Sequence, residues 1–226
     1  MSNRLRQYLI EYPRFLLTWC IVLLNILIGI WKTIRLPYPR VTFFGGSRLL
    51  KSDPYYEIAY NLAYQLVEKK ISIITGGGPG IMEAANCGAA DAAHKKNEIR
   101  SLAIGIRKLS RENIINFCAQ DRIIFRSFFA RKWLLMQYSS AFLVFPGGYG
   151  TLEELAEILN LIETGHFKKV PVVLYGRDYW QPLMDWLTNS ALKRKLIEEQ
   201  ELALITLTDN LNEALNILCS CKTIEK

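Results

Sequence analysis

The stretch that most constrains the fold is PGGYGTLEE, at residues 146–154. It follows an apolar run, Ala141 to Phe145, that predicts a buried strand, and it leads into residues 151–164, whose apolar spacing predicts a helix. The glycines therefore lie on a strand-to-helix turn, where the first helical N–H groups are unpaired and a ligand can approach the backbone closely. Such a turn favours an anion, most often a phosphate.

The same strand–turn–helix pattern occurs at two other places in the chain. Gly45–Ser47 follows a short apolar run that begins at Val41, and Gly76–Gly80 follows the run from Ile71 to Thr75. Further apolar runs predict strands at 102–106, 122–125, 170–175 and 204–207, with helical spacing between them. Strands that are short and apolar on both faces, alternating with helices, predict an α/β fold with a doubly wound, mostly parallel, Rossmann-like sheet and helices on both faces. Because ligands bind at the carboxyl ends of such strands, we expect the three turns to meet there.

The turn GGGPG at Gly76–Gly80 matches neither common nucleotide-binding motif. Its spacing is not GxGxxG, and no GK[ST] follows it. A plain tight turn is the simpler interpretation. Ligand contact is favoured because Gly80 and Ile81 open a helix and can offer N–H groups to a phosphate. The glycines expected to contact substrate here are Gly76, Gly77, Gly78 and Gly80.

The chain divides into residues 1–40, an apolar helix followed by a linker, and residues 41–226, the α/β domain. Residues 15–31 contain no charged side chain and are bracketed by Arg14 and Lys32. Their length is at the lower limit for a membrane span, and both flanks are basic, so no orientation follows. Two interpretations stay open: contact with a membrane, by spanning it or by lying in its interface, and burial against the domain or in a subunit interface.

The net charge of +7 and pI near 9.1 suit anionic small molecules, nucleic acid or an anionic membrane surface. The basic residues form short scattered groups and no stripe interleaved with aromatics, so nucleic acid is not an expected partner. The five cysteines fit no disulfide framework and no zinc site, which predicts reduced thiols in a cytoplasmic protein. His94 and His166 lie far apart in sequence, so we expect no metal centre.

Arg131 and Lys132 lie in the predicted helix just before the PGG turn, where we expect them to face the site and not the solvent. Glu153 and Glu154 lie in the first turns of the helix that follows. Adjacent helical positions point about 100° apart, so only one of these two carboxylates can face the pocket. An acid beside a phosphate-binding turn indicates chemistry on a phosphorylated molecule.

Three segments together, GGGPGIMEAAN, ARKWLLM and PGGYGTLEE, resemble the LOG family of cytokinin-activating phosphoribohydrolases. The resemblance covers about Val41 to Leu218 and makes residues 41–226 a nucleotide-binding hydrolase domain. It implies a homodimer or larger assembly that needs no cofactor. It also implies hydrolysis of the N-glycosidic bond of nucleoside 5′-monophosphates, such as AMP or N6-modified AMP, to the free base and ribose 5-phosphate.

The resemblance also implies roles for individual residues. It makes Arg131 and Glu154 catalytic and leaves Glu153 on the solvent or interface side. Where many family members have Met-His, this chain has Phe128 and Phe129, so the base end of the pocket differs. The residues expected to bind substrate, besides the first glycine group, are Ser47, Phe128, Lys132, Gly147, Gly148, Gly150 and Thr151.

The chemistry of ribosyl cleavage agrees with these roles. Breaking the bond builds positive charge on the sugar ring, which a carboxylate at Glu154 can stabilise while orienting the attacking water. The alternative is a binding protein that keeps the fold for nucleotide sensing or cofactor carriage. Such a protein has no need of an acid facing the sugar, which favours the enzyme. A lysine decarboxylase is not expected, because no pyridoxal-lysine context is visible and the glycine turns suit phosphate esters.

Overall fold

The computed structural model describes residues 3–94, 98–107 and 116–221. A long N-terminal helix precedes seven strands that alternate with helices. The elements in chain order are α1 (Asn3–Arg35), β1 (Arg40–Phe44), α2 (Pro54–Glu68), β2 (Ser72–Thr75), α3 (Ile81–His94), β3 (Ser101–Ile106), β4 (Asp121–Phe125), α4 (Phe128–Gln137), β5 (Ala141–Val144), α5 (Tyr149–Glu163), β6 (Val172–Tyr175), α6 (Arg177–Trp186), a π-helix (Leu187–Leu192), α7 (Glu199–Leu202), β7 (Ile205–Thr208) and α8 (Leu211–Ser220).

The seven strands form one parallel sheet in the order β4-β3-β2-β1-β5-β6-β7. β1 lies in the middle, where Val41 pairs with Ile73 of β2 on one side and Ala141 of β5 on the other. The chain winds outward from β1 in one direction and then, after β4, in the other. The predicted doubly wound fold is confirmed, and its switch point lies between β1 and β5.

Helices cover both faces of the sheet. One core contains buried residues of α2, α3 and α8, and the other contains those of α4, α5 and α6. The small residues of α3 serve its contact with α2: a Cβ on Gly88 would lie 2.1 Å from the carbonyl oxygen of Tyr60. Strands β1, β2 and β5 are each buried along their whole length, as the apolar runs predict.

Two helices differ from the boundaries that apolar spacing predicts. α5 begins at Tyr149, two residues before the predicted start, because Gly148 is the extended N-cap. The apolar spacing of residues 180–192 predicts one helix, whereas the structure has α6 from Arg177 and a π-helix from Leu187. Ser127 caps α4, since its side chain accepts a hydrogen bond from the N–H of Ala130.

α1 packs one face of its C-terminal half against α4 and β4. A Cβ on Gly29 would lie 2.6 Å from Leu134 and 2.8 Å from Phe125, so the helix backbone touches the domain directly. Thr33 is fully buried, and Lys32 forms an ion pair with Asp121 at the start of β4. The N-terminal apolar helix is confirmed, and half of it is part of the domain's packing.

The structure corrects the expectation that all cysteines are reduced thiols. Cys87 of α3 is joined to Cys118 by a disulfide bond. The two residues are 31 positions apart, and only the packing of the segment before β4 onto α3 brings them together. Sequence spacing alone carried no signal for this pair, because the bond closes a tertiary contact and not a repeated framework.

Candidate active site

The three glycine turns meet at the carboxyl edge of the neighbouring strands β2, β1 and β5. Gly46, after β1, joins the other two: its N–H donates to the Pro146 carbonyl at 2.8 Å, and its carbonyl accepts from the Ile81 N–H at 3.2 Å. The turns therefore form one connected surface at the switch point of the sheet. Ser47 is exposed in the first of them.

Several of the glycines are required by the packing of this surface. A Cβ on Gly147 would lie 2.2 Å from Thr151 Oγ1. Gly80 has φ +68° and would place a Cβ 2.3 Å from the Gly46 carbonyl oxygen. A Cβ on Gly76 would lie 2.3 Å from Arg131 Nη2, so this glycine leaves the space that the guanidinium fills.

Gly148 and Gly150 have no such packing reason. At each of them a Cβ would have no neighbouring atom within 4 Å. Thr151 and Leu152 donate their N–H groups to the carbonyl of Gly148, so the two N–H groups before them, those of Tyr149 and Gly150, lie at the open end of α5. Open space beside helical N–H donors is what a phosphate requires.

Arg131 of α4 and Glu154 of α5 form an ion pair beside these turns, with Arg131 Nη1 3.5 Å from Glu154 Oε1. Both side chains are largely buried. Arg131 is fixed by a second contact, because its Nε–H donates to the Ile104 carbonyl at 3.0 Å. The pair is thus held between the end of β3 and the first turns of α5.

Burial governs the ionisation of this pair. It raises the pKa of Glu154 to about 7, because loss of solvent outweighs the attraction of Arg131 and Lys132. Burial also lowers the pKa of Arg131, although Glu154 acts against this. A carboxyl group with a pKa near neutrality is suited to proton transfer at physiological pH.

Lys132 and Glu153 belong to a separate cluster. Lys132 Nζ lies 2.7 Å from Glu153 and 2.8 Å from Glu157. Burial lowers the pKa of Lys132, but its hydrogen bonds to Glu153 and Glu157 outweigh this and raise it. The side chain of Glu153 is 53% exposed. Lys132, which the sequence predicts as a substrate ligand, is thus engaged by two carboxylates.

Phe128 stands over both cations, with its ring centroid 5.9 Å from Arg131 Cζ and 5.3 Å from Lys132 Nζ. Half of its surface is exposed, and Phe129 beside it is 77% exposed. An aromatic ring over a cation is attracted by it, so Phe128 is held at the rim of the site. Thr151 is buried beneath the turn, next to Gly147.

Asn116 supports the GGGPG turn and carries no signal in the sequence. It is buried, its N–H donates to the Gly77 carbonyl at 2.9 Å, and its Nδ2 donates to the Gly78 carbonyl at 3.0 Å. Tyr179 similarly donates its hydroxyl to the Gly147 carbonyl. The less regular sequence from Arg107 to Asp121 predicts a loop over the site, and its residues 108–115 lie outside the described residues.

In the described part of the chain, no group of three or more His, Cys, Asp or Glu side chains could hold a metal ion. The site thus consists of glycine turns, an Arg–Glu pair and an aromatic rim. The chemistry it offers is anion binding together with a buried carboxyl group near neutrality.

Comparison with known sequences identifies a matching family and several named relatives. The family described as "possible lysine decarboxylase" matches residues 82–218. The cytokinin riboside 5′-monophosphate phosphoribohydrolase LOG2 of Arabidopsis thaliana is 27% identical over 182 residues, which is 80% of this chain and 83% of the plant protein. LOG3 of the same plant is 30% identical over 155 residues, or 68% and 69% of the two chains.

Solved structures share the fold at lower identity. The molybdenum cofactor carrier protein of Chlamydomonas reinhardtii superimposes with a TM-score of 0.60 and 18% identity, over 83% of this chain and 99% of the other. At this identity the likeness concerns the fold and does not extend to activity.

Proposed function

Because the chain belongs to the LOG family, and its relatives LOG2 and LOG3 are named phosphoribohydrolases, we propose that it hydrolyses the N-glycosidic bond of nucleoside 5′-monophosphates. The products are the free base and ribose 5-phosphate. We assign the reaction to residues 41–226. AMP and N6-modified AMP of the cytokinin type are the proposed substrates.

The observation that carries the proposal is the buried pair of Arg131 and Glu154 next to a glycine turn with open space. Desolvating a carboxyl group costs folding free energy, and a protein that only binds a nucleotide gains nothing in return for that cost. Here the pKa of Glu154 is raised to about 7 although Arg131 lies 3.5 Å away. Perturbed ionisation at a ligand-binding edge is typical of catalytic groups.

The 5′-phosphate would bind at the start of α5, on the N–H groups of Tyr149 and Gly150. The absence of a side chain at Gly148 and Gly150 leaves room for its oxygens. The positive end of the helix favours the phosphate charge. Binding energy from this remote group positions the bond to be broken.

Glu154 would act on the sugar, in the next turn along the same helix. As the bond between the anomeric carbon and the base nitrogen breaks, its electron pair leaves with the base and positive charge develops on the ring. The carboxylate stabilises that charge and accepts a proton from the water whose oxygen forms the new bond to the anomeric carbon. The departing base nitrogen takes up a proton from solvent, and Glu154 then releases to solvent the proton that it accepted from water, so atoms and charge balance.

Arg131 would complete the site. Its Nε is fixed on the Ile104 carbonyl, which leaves its terminal nitrogens beside Glu154 and Gly76. From there the guanidinium can hold sugar hydroxyls, the phosphate or the departing base. Phe128 at the rim offers an aromatic face to the base. We also propose that the protein acts as a homodimer, as the family resemblance implies.

The test is to incubate the purified full-length protein with AMP and the other nucleoside 5′-monophosphates, and to measure free base and ribose 5-phosphate. We expect stoichiometric release of both products. Tight nucleotide binding without release from any monophosphate would instead support the alternative, a nucleotide-binding or carrier protein.

A further inference from the structure

Helix α1 is surrounded differently along its length. From Phe15 to Cys20 every side chain is exposed, including two large aromatics, Phe15 and Trp19. This part has no buried side chain, and every residue in it except Thr18 is apolar. A helix that is apolar all round requires either a protein interior or lipid around it.

Beyond this part, only one face of α1 is covered. Gly29 and Thr33 lie against the domain, whereas Leu23, Leu27 and Trp31 are exposed on the other face. The docked face combines Gly29 and Thr33 with Val22, Ile26 and Ile30, which pack against the core, and the exposed face is formed by large apolar residues. The exposed surface therefore continues as one apolar band from Phe15 to Ile34.

We propose that this band anchors the protein in an anionic lipid bilayer. A second copy of the chain would cover one face of α1, whereas lipid can surround the part from Phe15 to Cys20 on all sides. The charges also favour an anionic surface: the sequence has no Asp or Glu between Glu11 and Asp53 but several Lys and Arg.

The depth of insertion is limited to one leaflet. The segment Phe15–Arg35 is long and apolar enough to cross a membrane, but its last part is docked on the domain. The part from Phe15 to Cys20 spans roughly 9 Å at the helical rise, about a third of the hydrocarbon core. Full spanning would pull Gly29 away from Leu134 and Phe125 and uncover apolar core.

The docking also fixes which edge of the sheet faces the membrane. α1 runs antiparallel to β4, since Lys32 pairs with Asp121 at the start of the strand and Gly29 contacts Phe125 at its end. The part from Phe15 to Cys20 therefore projects past the carboxyl edge, where the glycine turns open. Two exposed aromatics, Phe129 and Tyr149, lie at that edge, exposed by 77% and 93%. The candidate active site thus opens toward the bilayer surface.

The experiment is flotation of the full-length protein with vesicles of phosphatidylcholine alone or mixed with phosphatidylglycerol. We expect flotation with the mixed vesicles, reduced by salt. The double variant Leu23→Glu, Leu27→Glu should bind at least tenfold more weakly. Leu196→Glu, at a leucine that is 68% exposed elsewhere on the surface, should bind like the unchanged protein. Equal thermal unfolding of all forms shows that folding is unaffected.

Two further readings test the depth and the orientation. If the helix enters one leaflet only, a tag before residue 3 stays open to protease outside the vesicles, and protection of the tag would establish spanning.

The orientation is tested in a chain with Cys20 and Cys219 replaced by Ser. There, a dye on Phe129→Cys should be quenched by lipid nitroxides more than a dye on Lys69→Cys. The proposal is overturned by absence of flotation, by flotation of the double variant, or by equal quenching. It is also overturned if the double variant only dissociates a dimer. None of these measurements requires hydrolysis of a nucleotide, so they test the membrane proposal independently of the proposed function.

Discussion

Glu154 lies in a dry environment beside Arg131, whereas Glu153, one residue earlier, reaches Lys132 at the surface. The difference follows from the helix geometry, which turns neighbouring side chains about 100° apart. Both residues are glutamates in the first turns of α5, so the difference between them comes only from their surroundings. This contrast makes the pair a matched set for mutation.

We predict that Glu154→Gln keeps nucleotide binding and loses turnover by about a hundredfold to ten-thousandfold, the usual contribution of a positioned acid–base group. The amide preserves the shape but cannot accept the proton of water. Glu153→Gln, which loses one contact of a partly exposed ion pair, should stay within a few-fold of the unchanged enzyme. Near-normal kcat for Glu154→Gln would contradict the role assigned to this residue.

The raised pKa of Glu154 sets a pH dependence. Burial keeps the proton on Glu154 up to about pH 7, against a pKa of 4.5 for an unburied carboxyl group, so the active carboxylate is scarce below neutrality. We expect kcat/KM to rise with pH up to about 7 and then to level off. The same shift makes this group's contribution to folding stability fall as pH rises from 4.5 to about 7.

Because a nucleotide phosphate also titrates near pH 6, the profile needs an independent control. Carbon NMR of the Glu154 carboxyl in the free protein measures its pKa without substrate. A value near 4.5 would contradict the link between burial and the pH profile.

Among the elements, the start of α5 separates a glycine required by packing from the glycines that the proposed function assigns to phosphate binding. Gly150→Ala adds a methyl group into open space within a helix and should raise the free energy of unfolding by about 0.5–1 kcal/mol. The same methyl group would crowd a bound phosphate. We therefore expect KM for AMP to rise about tenfold to a hundredfold, as for loss of a charged hydrogen bond.

Gly147→Ala is the opposite control. Its methyl group would lie 2.2 Å from Thr151 Oγ1, so this variant should be less stable in urea unfolding. If Gly150→Ala gained stability and kept its KM, the phosphate would bind elsewhere.

The disulfide links two elements that shape the site. Cys118 lies two residues after Asn116, which holds the GGGPG turn, and Cys87 lies in the helix that this turn begins. Breaking a bond that closes a loop of 31 residues should lower the free energy of unfolding by about 3–4 kcal/mol. Urea unfolding with and without a thiol reductant measures this, and Cys20→Ser is the matched control. Identical curves would show that the thiols are not joined.

For the whole molecule, much of the architecture could be predicted from local pattern. Short apolar runs, helical spacing and glycines at the end of each run are local signals, and they give the parallel sheet and the three turns at its carboxyl edge. The candidate pair of Arg131 and Glu154 was predicted from the resemblance of short motifs. The structure brings the two side chains within 3.5 Å.

The remaining features depend on contacts between distant parts of the chain. Asn116 lies in an irregular segment, and its structural role depends on hydrogen bonds to two carbonyls nearly 40 residues earlier. The Cys87–Cys118 bond and the docking of Gly29 are likewise products of packing. The close approach of Arg131 Nη2 to Gly76, where a Cβ would lie 2.3 Å away, is also a product of packing, and contact of Gly76 with substrate stays a prediction. Such facts require side chains to be placed in three dimensions.

The contact between Gly29 and Leu134 has a consequence in time. About 100 residues lie between them, and at ribosomal rates of about 5–20 residues per second the second partner emerges some 5–20 s after the first. During that interval the apolar helix exists without the surface that later covers it. A chaperone or a bilayer that binds the nascent helix in those seconds does so before the rest of the domain has been synthesised.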